Sequence, residues 1–143
     1  MENVMTTAKT ASGFKVEVKA RNHTMIVDQP QAMGGKDEGP TPLEYLFAAL
    51  GGCLGNVAMI VAKQERLEVN GITVDIDGDI DLDVLMGKPS ENRAGFVGLN
   101  LKIDIDAPKM SLAEKKAFVE KVESRCPISE NLINNTPVNF EIL

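Results

Sequence analysis

Two cysteines, Cys53 and Cys126, and one histidine, His23, are the residues whose types could carry nucleophilic or soft-metal chemistry in this chain. Two thiols and one imidazole fall short of a four-ligand zinc site, and two cysteines are too few for the disulfide framework of a small secreted protein. Thiol chemistry remains: a thiolate nucleophile, its oxidation, or a disulfide. His23 stands in a short polar stretch without another histidine or a cysteine nearby and reads as a turn residue. The acids Asp75, Asp77, Asp79, Asp81 and Asp83 suggest calcium, but Gly78 is misplaced for a calcium loop and Met86 occupies the position of the bidentate glutamate. Their spacing is that of the wet face of a strand. The Gly34–Gly35 pair lacks the G-x-x-x-x-G-K-[ST] spacing that cradles phosphates.

Cys53 lies in GPTPLEYLFAALGGCLGNVAMIVAK, residues 39–63. Thr41 suits an N-cap, Pro42 the first helical position, and Glu44 completes a T-x-x-E capping box. From Leu43 to Val61 apolar side chains cover most of the circumference, so the helix belongs in a core, where a free cysteine most often serves as a small hydrophobe. Three glycines nearby, Gly51, Gly52 and Gly55, each cost about 1 kcal/mol against alanine in a helix interior. Either another backbone approaches closely there, or the helix breaks at Gly51–Gly52 and leaves Cys53 at a new N-terminus, where the dipole lowers a thiol pKa. Composition leaves both open.

The remaining elements must position these residues. FKVEVKA (14–20) alternates with period two and TMIVDQP comes after it, predicting a hairpin with Arg21 at its turn. QAMGGKDEGP is a loop leading to the helix. ITVDIDGDIDLDVLM (72–86) and FVGLNLKIDIDAP (96–108) predict antiparallel strands joined by GKPSENRAG. Ser111 with Glu114 opens a helix whose stripe is Leu112, Phe118, Val119 and Val122; it runs to Cys126, with Pro127 as its stop. ISENLI predicts a short helix and TPVNFEIL a final strand. The sum is an α+β fold in one domain, 1–143, a length that suits a single core. The 43% hydrophobic and 25% charged residues exclude a disordered chain. A net charge of −6 with scattered Lys and Arg argues against nucleic acid. MENVMTTAKTASG has no signal-peptide pattern, and the apolar helix is interrupted by glycines and carries Glu44 and Lys63, so the expectation is a cytoplasmic protein with no membrane partner. A helix apolar on all sides is hard to cover in so short a chain, which points to a dimer.

GGKDEGPTPLEYLFAALGGC and the distant CPIS together resemble the OsmC/Ohr family of thiol-dependent hydroperoxide reductases, and the order of elements agrees over nearly the whole chain. The resemblance implies antiparallel sheets wrapped around a buried central helix, an intertwined homodimer, and an apolar pocket through which a hydrophobic organic hydroperoxide reaches the thiol. By position, Cys53 would be the peroxidatic nucleophile and Cys126, 73 residues away, the resolving thiol. Arg21 matches the arginine that the family's first hairpin brings to the thiolate, with Arg125 as the rival. Glu44 matches the family's functional glutamate but is displaced by one residue, since Leu43 comes directly after Pro42; one residue is about 100° of helix, and the capping box alone accounts for Glu44. PLEYLFAALGGC is similar to the OsmC-like branch. The implied activity is peroxide reduction supported by a dithiol or lipoyl-type reductant, with no metal, flavin or haem. The alternative is a redox-sensing or hydrophobic-ligand-binding module without fast turnover.

Overall fold

A computed structural model describes residues 1–143 and divides them into two compact units, Met1–Ala48 and Ala49–Leu143. In the first, β1 (Thr7–Ser12), β2 (Lys15–Ala20) and β3 (His23–Val27) form an antiparallel sheet in that order. The alternation of residues 14–27 foretold β2 and β3, which pair from Val16 opposite Val27 to Ala20 opposite His23. Arg21 and Asn22 make the turn, with Arg21 in the left-handed region at φ 56°. β1 carries no such pattern: all six residues are exposed, and only the ladder to β2, Thr7 opposite Lys19 through Thr10 opposite Val16, makes TAKTAS a strand.

The glycine-rich loop after β3 is organised by Asp28, which is buried. Its carboxylate accepts main-chain N–H groups from Gln29 at 2.8 Å, Lys36 at 3.1 Å and Glu38 at 3.2 Å. These donors, Gln29 first, hold its carboxyl below the usual range against the opposing effect of burial. Two glycines are demanded by close approach. A Cβ on Gly35 would lie 1.9 Å from the Gln29 carbonyl oxygen, and one on Gly39 2.2 Å from that of Ile26.

Helix α1 (Pro42–Glu65) runs unbroken from the first unit into the second. There β4 (Gly71–Gly78) pairs antiparallel with β5 (Leu99–Asp106), and α2 (Leu82–Leu85), α3 (Leu112–Glu123) and α4 (Pro127–Ile133) complete the fold. A lone two-stranded sheet is marginal in water, so these strands need cover. Leu50, Leu54, Val57, Ala58, Val61 and Ala62 of α1 cluster with Ile105, Phe118 and Val122, and Ile72, Val74 and Ile76 pack against the cluster. Each large side chain so buried contributes about 1.5–3 kcal/mol. By length and composition α1 could cross a membrane; here it is the core helix of the second unit.

Several expectations are corrected. The strand expected to Met86 ends at Gly78, and the alternation beyond it finds no strand opposite; instead Asp81 caps α2 by accepting the Asp83 N–H at 2.9 Å. The strand expected from residue 96 begins at Leu99, leaving Val97 exposed before it, and Leu112 is exposed at the first position of α3. The helix expected to run to Cys126 and stop at Pro127 ends at Glu123, and Pro127 opens α4 instead. TPVNFEIL has no regular structure, and Val138, Phe140 and Ile142 are exposed. One expectation agrees with the structure: this chain does not cover α1 all round, and Met59 and Ile60 are 45% and 48% exposed.

The C-terminal end of α1 shows strain of its own. The Leu67 N–H donates to the Ala62 carbonyl at 2.9 Å and the Arg66 N–H to that of Lys63 at 3.4 Å, a Schellman closure with Arg66 in the left-handed position at φ 55°. Glycine is the residue suited to that position. Arg66→Gly is expected to raise the unfolding free energy by about 0.5–1 kcal/mol in urea titration, and a loss of stability would contradict this reading.

Candidate functional site

Cys53 lies in the interior of α1, so the helix break at Gly51–Gly52 does not occur. No backbone crowds the glycines either. A Cβ on Gly51 would meet Ile76 Cδ1 at 3.6 Å and one on Gly55 Ile72 Cγ2 at 3.9 Å, both ordinary contacts, while Gly52 has nothing within 4 Å. The small side of α1 faces the isoleucines of β4.

Cys126 arrives from the other direction. After α3 the chain turns through hydrogen bonds from Arg125 N–H to the Val122 carbonyl (3.2 Å) and Cys126 N–H to that of Glu123 (3.0 Å). Extended backbone at Cys126 (φ −83°, ψ 109°) then makes it the N-cap of α4, with Pro127 in the first turn. Its thiol donates to Cys53 Sγ at 2.7 Å, and its own sulfur accepts the Ser129 N–H at 3.4 Å. Both cysteines are free thiols; Cys126 is fully buried and Cys53 half-buried. Burial is the chief cause pushing the Cys53 thiol above its ordinary range, the neighbouring Cys126 adds to this, and the Ile128 main-chain N–H pulls the other way.

The second unit therefore brings the two cysteines together. Arg125, named as a rival cation, donates from Nη1 to Gln64 Oε1 at 2.9 Å. Arg21 and Glu44 belong to the first unit. Arg21 is exposed in the β2–β3 turn. Glu44 performs a full capping box: its carboxylate accepts the Thr41 N–H at 2.7 Å and the Thr41 hydroxyl at 2.8 Å, while Thr41 Oγ1 accepts the Glu44 N–H at 3.3 Å. It also lines an open cleft of about 440 Å³ with Asp37, Gly39, Pro40, Tyr45 and Ala48, in which the Tyr45 hydroxyl donates to the Ile26 carbonyl at 2.8 Å. No group of three or more His, Cys, Asp or Glu is placed to hold a metal ion. The groups missed in the sequence are main-chain ones, the amides of Ile128 and Ser129. A cysteine followed by proline was a legible N-cap signal for them.

A carboxylate bonded by its own cap is held below the usual range, and the Thr41 N–H is the first cause for Glu44. Its stabilising contribution is therefore present above the unfolded-state pKa and lost as pH falls through the folded one. In Glu44→Gln the melting temperature should drop by only a few degrees at neutral pH, and the gap to wild type should close in acid. A gap that widens below about pH 4 would refute the capping role.

The profile of the family described as OsmC-like protein matches residues 35–141. An uncharacterized protein of Acinetobacter baylyi is 28% identical over 147 residues, covering 100% of this chain and 96% of its own. Among solved structures, the crystal structure of an OsmC-like protein from Mycoplasma pneumoniae superposes with a TM-score of 0.80 at 21% identity, over 94% of this chain and 89% of the other. That of an organic hydroperoxide resistance protein OsmC from Legionella pneumophila gives 0.69 at 18%, over 94% and 92%.

Proposed function

This chain belongs to the OsmC-like family, and from that premise we propose that it is a cytoplasmic, homodimeric, thiol-dependent peroxidase that reduces hydrophobic organic hydroperoxides in redox defence. What carries the reading is the contact of Cys126 Sγ with Cys53 Sγ at 2.7 Å, Cys53 being the more exposed of the two residues. The Cys53 thiolate attacks the hydroperoxide, the O–O bond breaks, and the alcohol leaves with a proton from solvent while Cys53 becomes a sulfenic acid. The Cys126 thiolate then attacks that sulfur and the hydroxyl departs as water with a proton from solvent, leaving a Cys53–Cys126 disulfide. An external dithiol, of lipoyl type, restores both thiols by exchange and is itself oxidised. A name of the same sense, organic hydroperoxide resistance protein, is borne by the Legionella neighbour.

The two units are taken as one domain, since α1 is continuous across their boundary. Homodimerisation is supported by the uncovered Met59 and Ile60 of α1 and by the open space beside Gly52. Burial opposes the ionised Cys53, so a cation is required for fast chemistry at neutral pH, and Arg21 is the residue assigned to it. Glu44 acts as the cap that starts α1.

Steady-state turnover of cumene hydroperoxide with dihydrolipoamide tests the activity. Wild type should turn over and Cys53→Ser should fall to background, with one equivalent of peroxide giving a Cys53–Cys126 disulfide within one chain by non-reducing peptide mapping. Disulfide formation without turnover would favour the redox-sensing alternative, and neither would reject both. Arg21→Met tests the cation: at φ 56° both side chains meet the same backbone strain, so stability should hold. Cys53 alkylation at neutral pH should slow about tenfold, as one pKa unit implies; equal rates would remove Arg21 from the site.

A further inference from the structure

Two free thiols whose sulfurs lie 2.7 Å apart are a chelate before anything is bound. What such a pair can hold depends on the sulfur separation that the bound atom needs, the number of donors it demands, and the surroundings. With bonds to sulfur of about 2.3 Å, a linear two-coordinate ion needs the sulfurs about 4.6 Å apart, whereas a centre bent to a right angle needs about 3.3 Å. The observed pair is much nearer the second distance. Zinc takes four ligands, and no group of three or more His, Cys, Asp or Glu stands together to supply them. The surroundings are apolar: Cys126 belongs to the cluster of Leu54, Val57 and Val122, and Cys53 packs against it. A neutral product suits that setting, because burial works against charge on Cys53. A bent centre with two sulfurs, one apolar substituent and no charge meets all three conditions.

We propose that Cys53 and Cys126 form a capture site for monosubstituted trivalent arsenicals, in which arsenic carries one carbon group and two exchangeable hydroxyls. Trivalent arsenic is soft, keeps a lone pair and binds three groups at angles near a right angle, so two thiols and the carbon group complete it. Cys53, half-buried, is the point of entry: its thiol replaces the first hydroxyl, and Cys126, fully buried beside it, closes the ring by replacing the second. Each step forms one As–S bond and breaks one As–O bond, and the departing hydroxyl leaves as water with the thiol proton. Arsenic stays trivalent and no electrons are transferred. Inorganic arsenite would keep a hydroxyl in its third position, unpaired among apolar side chains, which selects the carbon-bearing class. Capture needs only the two neighbouring thiols and so stands apart from the peroxidase reading, although it occupies the same sulfurs.

Phenylarsine oxide, added in one equivalent to the reduced full-length protein, tests this without any peroxide. Intact-mass spectrometry should show one phenylarsenic group bound with both thiol protons lost, both cysteines should be closed to iodoacetamide, and excess dimercaptopropanol should reopen them. Joining two donors raises retention by about 10²–10⁴ over one, so Cys53→Ser and Cys126→Ala should each release the group at dimercaptopropanol concentrations at least about a hundredfold lower. Where a variant does not fold, wild type oxidised beforehand to the Cys53–Cys126 disulfide is the control and should take up nothing. Equal retention in either variant, or uptake by the disulfide form, overturns the chelate, and so does a reduced wild type that binds no arsenical. Arsenite held as tightly as phenylarsine oxide overturns the choice of ligand class. Capture by a protein that shows no peroxide turnover rejects the peroxidase reading and supports this one.

Discussion

Everything at the site depends on bringing two sulfurs from distant parts of the chain to 2.7 Å. One is fixed by α1 and the other by the turn between α3 and α4, so their separation is set by how α3 packs in the second unit. Phe118 and Val122 enter the same cluster as Leu54, Val57, Ala58 and Val61, and Cys126 is itself a member. Polar links join the ends of the same helices, Lys121 with Glu65 and Arg125 with Gln64. Exposed pairs of that kind contribute little, about 0–1 kcal/mol. The apolar cluster holds the cysteines together.

That location creates a conflict between stability and reactivity. A small apolar thiol suits the core, but burial disfavours the thiolate that chemistry needs. The groups acting on Cys53 are the Cys126 thiol and the Ile128 amide, neither of which carries a full positive charge. An amide can offset only part of a desolvation cost. The burial that suits a cysteine to the core is thus what opposes its ionised form.

Capping boxes were legible because they are local: Thr41 with Glu44, and Ser111 with Glu114, form as three-residue spacings foretell. The alternation of β2, β3 and the first part of β4 was legible for the same reason. What failed needed a partner to decide it. TAKTAS becomes β1 although nothing in its side chains says so, because β2 offers an edge, whereas Ile80, Leu82 and Val84 alternate correctly and form no strand because none lies opposite. Pro127 read as the stop of one helix, but α3 ends at Glu123 and Pro127 starts α4, which gives the Ser129 N–H to the Cys126 sulfur. The meeting of Cys53 with Cys126 came from resemblance alone, since no local rule spans 73 residues.

The same distinction bears on the surfaces left over. α1 is apolar around most of its circumference, yet the chain covers only the side that bears Leu50, Leu54, Val57 and Val61, leaving Met59 and Ile60 half exposed. At the C-terminus Val138, Phe140 and Ile142 alternate as a strand would, and stand exposed without a ladder. Both patterns stand without their complement in this chain's own packing. A helix stripe needs an apolar face, and a period-two segment needs a sheet edge. A second copy of this chain would supply another α1 and the free edges of its own sheets, which is the physical ground on which the homodimer is proposed: one partner meeting both requirements at once.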